Sequence, residues 1–314
     1  MAAGGHLRRL LASGRFAVTA EVTPPLSGDA AALLAKAAPL KERVDAINVT
    51  DAAGARVAMS SFAAAAILAQ NGIDPVCQVT CRDRNRIALA GDLIGAAAQG
   101  VTNVLVLYGD DPSGGDHPDA KLVHDLDSRA VMQMARQMRD EGVLPSGRAI
   151  ESPPRFFIGA ADTPRDPEPD WRPSGLQAKL EAGADFVQTQ FCFDLAVARR
   201  YVARLTEAGI TERLKMLVGV GPIASARSAR WMRDNLFGVS VPDHVIDRLD
   251  KAAEPAAEGR RICIELIQGL RETPGVAGVH VMAPRQSMET VAQIIEDSGV
   301  RDAAREAAPA AARS

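Results

Sequence analysis

The sequence predicts a single-domain (β/α)8 barrel. Eight short apolar or β-branched runs alternate with longer Ala- and Leu-rich stretches of helical period, the pattern of repeated β-α units. The first run ends in Thr23-Pro24-Pro25, not in the Gly-x-Gly-x-x-Gly turn that an open doubly wound sheet carries after its first strand. Several runs also end in a polar side chain where the chain breaks into a loop, as at Glu21, Asp110 and Gln190. A barrel gathers such strand ends on one face.

Taken in order, the strands are expected at residues 16–22, 46–50, 76–81, 103–108, 156–160, 186–191, 216–220 and 278–282. Each is a short run of mainly Val, Ile, Leu, Phe and Ala. The helices between them fall at 29–42, 60–70, 86–99, 128–141, 175–181, 196–208, 224–236 and 288–297. A further pair, 243–252 and 257–271, is inserted before the last strand. Ahead of the barrel, assigned to residues 15–300, residues 1–14 form a helical extension. Its basic amphipathic stretch His6-Leu7-Arg8-Arg9-Leu10-Leu11 is read as a short helix closing the barrel bottom, since it lacks the apolar region of a secretory signal. Residues 301–314, Ala-rich with Pro309 and scattered charge, read as a solvated flexible tail.

With 314 residues, 47% hydrophobic and 24% charged, the chain can bury a large core. A formal net charge of −3 leaves no nucleic-acid or anionic-membrane footprint, and no apolar run is long enough to span a bilayer. Small molecules are the expected partners. Cys77, Cys81, Cys192 and Cys263 supply no Cys/His cluster for a metal, so no metal is assigned; reduced thiols in a cytoplasmic enzyme are expected. Two loops exceed the usual connection length, 110–127 after the fourth strand and 161–173 after the fifth, and both would lie on the functional face.

Three stretches carry a resemblance: Val79-Thr80-Cys81-Arg82-Asp83-Arg84-Asn85-Arg86, Asn103-Val104-Leu105-Val106-Leu107-Tyr108-Gly109-Asp110-Asp111-Pro112, and Ala182-Gly183-Ala184-Asp185-Phe186-Val187-Gln188-Thr189-Gln190. Together with Glu21 and its Pro-Pro ending, they resemble the methylenetetrahydrofolate reductase family over roughly residues 15–298, in its short, barrel-only bacterial type. The resemblance implies a flavoprotein barrel passing hydride from NADH or NADPH through FAD to 5,10-methylenetetrahydrofolate. The product would be 5-methyltetrahydrofolate, supplying methionine biosynthesis, or the reaction would run in reverse in a one-carbon catabolic pathway. It also implies that the extra regulatory domain of longer members is missing. The outer helices are compatible with a homo-oligomer.

Carried over residue by residue, Glu21 matches the general acid, which ring opening of the folate requires. Asp110 and Gln190 match pterin-binding positions, Asp110 also lying near the flavin. Thr50 and Lys179 match cofactor contacts, with Lys179 on the pyrophosphate, and Gln78, Tyr108, Gly109 and Asp110 fall on the flavin-binding strands. The chain departs from the better-known bacterial pattern where Tyr108 and Ala178 replace arginines, Gln78 replaces a histidine and Ala160 or Ala161 an aromatic. Arg82, Arg84 or Arg86 is expected to restore the lost charge, and His124 to reach flavin ribose or phosphate. The stretch 221–227, where a folate-stacking aromatic is expected, holds no ring. His280, between Val279 and Val281, is read as a hydrogen-bonded core residue able to face the barrel interior. The alternative to a reductase is a folate-dependent methyltransferase-type barrel without flavin, which would not need ring opening at Glu21.

Overall fold

A computed structural model of the chain describes residues 5–301. The strands are β1 (Ala17–Val22), β2 (Ala46–Val49), β3 (Pro75–Thr80), β4 (Asn103–Leu107), β5 (Phe157–Asp162), β6 (Phe186–Phe191), β7 (Lys215–Val220) and β8 (Val276–Val281). All pair in parallel and in sequence order, and β8 returns to β1 to close the barrel. The surrounding helices are α1 (His6–Ala12), α2 (Ala30–Ala37), α3 (Ser61–Gln70), α4 (Arg86–Ala98), α5 (Ser128–Asp140), α6 (Ser174–Ala182), α7 (Leu195–Glu207), α8 (Ile210–Arg213), α9 (Ala226–Asn235), α10 (Asp243–Lys251), α11 (Pro255–Arg271) and α12 (Met288–Asp297). Residues 302–314, most of the expected tail, lie outside the described residues.

Several elements differ from the sequence expectation. The helix expected at 29–42 stops at Ala37 and passes into a 3-10 turn, Ala38–Leu40, because Pro39 has no N–H to continue the ladder. Strand β5 runs two residues further, bringing Ala161 and Asp162 to the barrel mouth. The single-turn helix α8 is an extra element before β7, formed where Gly209 takes a left-handed conformation.

Alternation along each strand sorts its side chains between two cores. Val18, Ala20, Ile47, Val49, Cys77, Val79, Val104, Val106, Val218 and Val279 point outward and pack under the helices. Ala17, Ala46, Val76, Leu105, Phe157, Phe186 and Leu217 point inward at the lower end, where Leu7, Leu10 and Leu11 of α1 complete the cluster. The amphipathic N-terminal stretch is therefore a plug for the barrel bottom, pinned by the Leu7 amide donating to Asp74 at 2.8 Å. No helix among the described residues is long and apolar enough to cross a membrane.

The four cysteines are free and buried. Burial pushes the Cys77, Cys81 and Cys263 thiols up to about 12 and Cys192 to about 11. Such groups are nearly devoid of thiolate at pH 8 and shielded from reagents. In a thiol-labelling assay at pH 8, the native protein is expected to release no chromophore over minutes, whereas addition of guanidinium chloride should expose all four thiols.

Candidate active site

Above the apolar floor, the next inward layer is polar. Thr19, Asn48, Gln188 and His280 are all buried there. Asn48 and Gln188 form a reciprocal amide pair, Nδ2 to Oε1 at 2.5 Å and Nε2 to Oδ1 at 3.0 Å. Gln188 Nε2 also donates to Thr19 Oγ1 at 3.0 Å. The Thr19 hydroxyl has one hydrogen, and its nearest acceptor is His280 Nδ1 at 2.9 Å. With that hydroxyl donating to the imidazole and not to the Val279 carbonyl at 3.4 Å, the His280 proton falls on Nε2, which faces Glu21 Oε2 at 3.8 Å. Glu21 Oε2 also accepts from Gln78 Nε2 at 2.9 Å.

This layer floors a cavity of about 620 Å3 at the C-terminal end of the strands. Of the residues singled out from sequence, Glu21, Gln78, Tyr108, Gly109, Asp110, Lys179 and Gln190 all line it. Asp110 Oδ2 accepts from the Gly54 amide at 2.6 Å, which ties the loop after β4 to the loop after β2. Gln190 Oε1 accepts from the Phe191 amide at 3.0 Å, and its Nε2 makes no hydrogen bond among the described residues. Lys179 reaches from α6 to the Ala161 carbonyl at 2.6 Å and lies 3.9 Å from Asp162. Tyr108, 59% exposed, stacks one face on His124 at 4.2 Å. Gly109 sits at φ +101°, and a Cβ there would come 2.7 Å from Arg82 Cβ, so the close crossing of the two loops requires glycine.

Three of the expected cofactor residues lie off the cavity wall. Thr50 is buried with its hydroxyl unpartnered, and His124 behind Tyr108 has an unpartnered buried Nδ1. Arg82 is buried against Asp83 in a bidentate pair at 2.7 Å and donates Nη1 to the Asp110 carbonyl at 3.0 Å. Its neighbours are engaged as well, Arg84 with Asp51 and Asp92 and Arg86 with Asp125. The arginine cluster therefore acts as a clamp on the loops after β2, β3 and β4. The cation that the sequence reading missed is Arg165, which lines the cavity and makes no ion pair or hydrogen bond among the described residues. It lies in the long loop after β5, with no periodicity to single it out.

At the centre of the clamp is Asp51. Burial alone would raise its carboxyl, but Arg84 at 2.7 and 3.0 Å and the Thr80 amide and hydroxyl at 2.9 Å outweigh it and hold the group below the usual range.

Comparison with known proteins gives three kinds of likeness. A family model described as "Methylenetetrahydrofolate reductase" matches residues 6–299. Among curated proteins, a "Probable methylenetetrahydrofolate reductase (NADPH)" of Caenorhabditis elegans is 29% identical over 234 residues, 72% of this chain and 32% of that protein. "Methylenetetrahydrofolate reductase 1" of Schizosaccharomyces pombe is 25% identical over 241 residues, 73% of this chain and 36% of its own. The chain thus spans about a third of the length of these relatives. Among solved structures, an uncharacterized protein from Clostridium thermocellum that binds two copies of 5-methyl-5,6,7,8-tetrahydrofolic acid superposes with a TM-score of 0.61 at 12% identity. It covers 96% of this chain and 99% of its own, and shows the shared fold.

Arg84→Met leaves the Asp51 carboxylate buried without its counter-ion and is expected to cost about 3 kcal/mol of stability, read by urea unfolding at pH 7. Because the folded carboxyl titrates below its unfolded value, its contribution is present at pH values above the unfolded value and is lost as pH falls through the folded one. Asp51→Asn should therefore flatten the stability profile below about pH 4.

Proposed function

The chain belongs to the methylenetetrahydrofolate reductase family, and on that premise we propose that it reduces 5,10-methylenetetrahydrofolate to 5-methyltetrahydrofolate, with hydride from NADH or NADPH relayed by a bound FAD. The observation that carries this reading is the convergence of Glu21, Asp110 and Gln190, from β1, the loop after β4 and β6, on one cavity. A proton donor and two hydrogen-bonding groups for a fused ring are what the chemistry asks for. In the substrate, the methylene carbon bridges two nitrogens. Glu21 gives its proton to the departing nitrogen, that C–N bond breaks, and the carbon becomes an iminium able to accept hydride. Hydride addition leaves a methyl group on the remaining nitrogen, and Glu21 is reprotonated from solvent.

The residues around Glu21 set its geometry. Gln78 and His280 both face Oε2, so the other carboxylate oxygen is left for the substrate. His280 is itself held by Thr19 and, through it, by the Asn48–Gln188 pair. Asp110 has one oxygen committed to the Gly54 amide and one open to the pterin amino and ring N–H groups. Gln190 offers its free Nε2 to a ring carbonyl or nitrogen.

The residues also fit a flavin nucleotide. Lys179 and Arg165 place two cations on one side of the cavity, suited to a diphosphate. On the cavity wall the Tyr108-Gly109 turn is the group that would meet its ring, whereas Thr50 and His124, whose unpartnered atoms are buried, stand off that wall. When bound, FAD supplies a two-electron carrier between the nicotinamide and the folate.

Spectroscopy of the purified protein with FAD separates these steps. Flavin absorbance is expected to bleach on anaerobic addition of NADH or NADPH and to return on addition of methylenetetrahydrofolate; a protein that binds no FAD at saturation would defeat the hydride-relay reading. Glu21→Gln should keep the bleaching and slow the return by roughly a hundredfold or more. His280→Leu removes the group that positions Glu21 without removing the acid, so the folate-dependent return is expected to slow by about tenfold to a hundredfold while bleaching stays near wild type.

A further inference from the structure

A second cavity lies at the end of the barrel away from Glu21. It holds about 510 Å3 and is walled by the end of α1, the first residues of β7 and β8 and the last turn of α11. Three cations line it: Arg15 from the link between α1 and β1, Lys215 at the start of β7 and Arg271 at the end of α11. No acidic side chain shares that wall.

These three stand apart from the other cations of the chain. Arg82, Arg84, Arg86, Arg139, Arg200 and Arg248 each meet a carboxylate, and Arg139 does so at this same end of the barrel, 2.6 Å from Asp185. Arg15, Lys215 and Arg271 make no ion pair among the described residues. Arg271 Nη1 donates to the Val300 carbonyl at 3.3 Å and Lys215 Nζ to the Glu212 carbonyl at 3.5 Å. A guanidinium carries five N–H donors and an ammonium three, so most of theirs are left without a protein acceptor. Lys215 and Arg271 are half-buried, where an unmatched charge is costly, and an anion in the cavity would match all three cations at once.

The walls are held in place without a ligand. Ser13 Oγ donates to the Leu10 carbonyl at 2.7 Å and the Gly14 amide to the Leu11 carbonyl at 3.2 Å, which closes the end of α1. Gly275 takes φ +87°, and a Cβ there would lie 2.8 Å from Val202 Cγ1, so the turn before β8 is seated on α7. Phe16 lines the cavity beside the cations, half-buried against the main core.

The donor set selects the class of anion. Guanidinium forks match phosphate oxygens in pairs, and an ammonium adds a point charge. We propose that this lower cavity binds the phosphate group of a small phosphorylated molecule on Arg15, Lys215 and Arg271, with the uncharged body of that molecule lying against Phe16. The site is independent of the folate and flavin reading.

The test is calorimetry at constant ionic strength on the protein carrying one equivalent of FAD. Inorganic phosphate, pyrophosphate and phenyl phosphate are the probes, with sulfate for comparison. Phenyl phosphate is expected to saturate one site per chain and to bind about tenfold more tightly than inorganic phosphate. Lys215→Gln and Arg271→Gln should each weaken all three phosphates about tenfold or more. Phe16→Leu should abolish the preference for phenyl phosphate and leave pyrophosphate binding near wild type, which also shows the variant to be folded. Without ligand, Lys215→Gln and Arg271→Gln are expected to unfold at the wild-type temperature or above it, because like charges around one cavity repel. Heats that are equal for sulfate and the phosphates would mean a non-specific ion atmosphere and would overturn the site. So would phosphate binding that survives both Lys215→Gln and Arg271→Gln, or a loss of thermal stability in both variants without ligand, which would mark the cations as structural. Equal affinity for inorganic and phenyl phosphate would overturn the role of Phe16.

Discussion

The polar layer across the middle of the barrel is the constraint on which the rest of the site depends. Below it, α1 and the lower strand ends form a dry apolar floor; above it lies the cavity. A barrel interior at this level normally closes with branched aliphatic side chains. Here Thr19, Asn48, Gln188 and His280 occupy it, and each must find a partner because a buried polar group without one costs about 1–3 kcal/mol. They satisfy one another from β1, β2, β6 and β8, so the register of these strands and the direction of the imidazole are decided together. The outcome is a histidine whose Nε2 faces Glu21.

A second layer of organisation lies outside the cavity. The loops after β2, β3 and β4 would repel one another if Asp51, Asp83, Asp110 and Asp125 met without cations. Arg82, Arg84 and Arg86 come from a stretch of five residues and each takes a different aspartate. The Val123 amide donates back to the Arg82 carbonyl at 2.8 Å, closing the long loop after β4 over the same clamp. Arginine suits this task because its planar fork bonds a carboxylate with two parallel hydrogen bonds, as Arg82 and Arg86 do. The rim cations left over, Lys179 and Arg165, line the cavity from α6 and the loop after β5.

Sequence reasoning located the strand ends well because alternation and loop signals are local. Glu21, Asp110 and Gln190 each stand where an apolar run breaks, and the closed barrel brings them to one cavity. It was less informative where a side chain has a choice of partner. Arg82, Arg84 and Arg86 read from sequence as replacements for lost cofactor charge, and only the positions of Asp51, Asp83 and Asp125 in space settle their partners. Gln78 reads as a strand residue of the cofactor site, yet its amide reaches past β2 to Glu21 on β1.

By itself, the sequence determined the succession of β-α units, the face on which each strand residue lies, the apolar plug at the N-terminus and the membership that its motifs announce. These follow from periodicity and local backbone preference, which neighbouring residues set among themselves. The tertiary structure decided the hydrogen-bond direction through Thr19 to His280, the pairing of each arginine with its aspartate, and the return of Arg165 to the cavity from a remote loop. Those are contacts between segments tens to hundreds of residues apart. Their partners are selected by barrel closure and by the need to satisfy each buried polar group, and neither is written in any one stretch of chain.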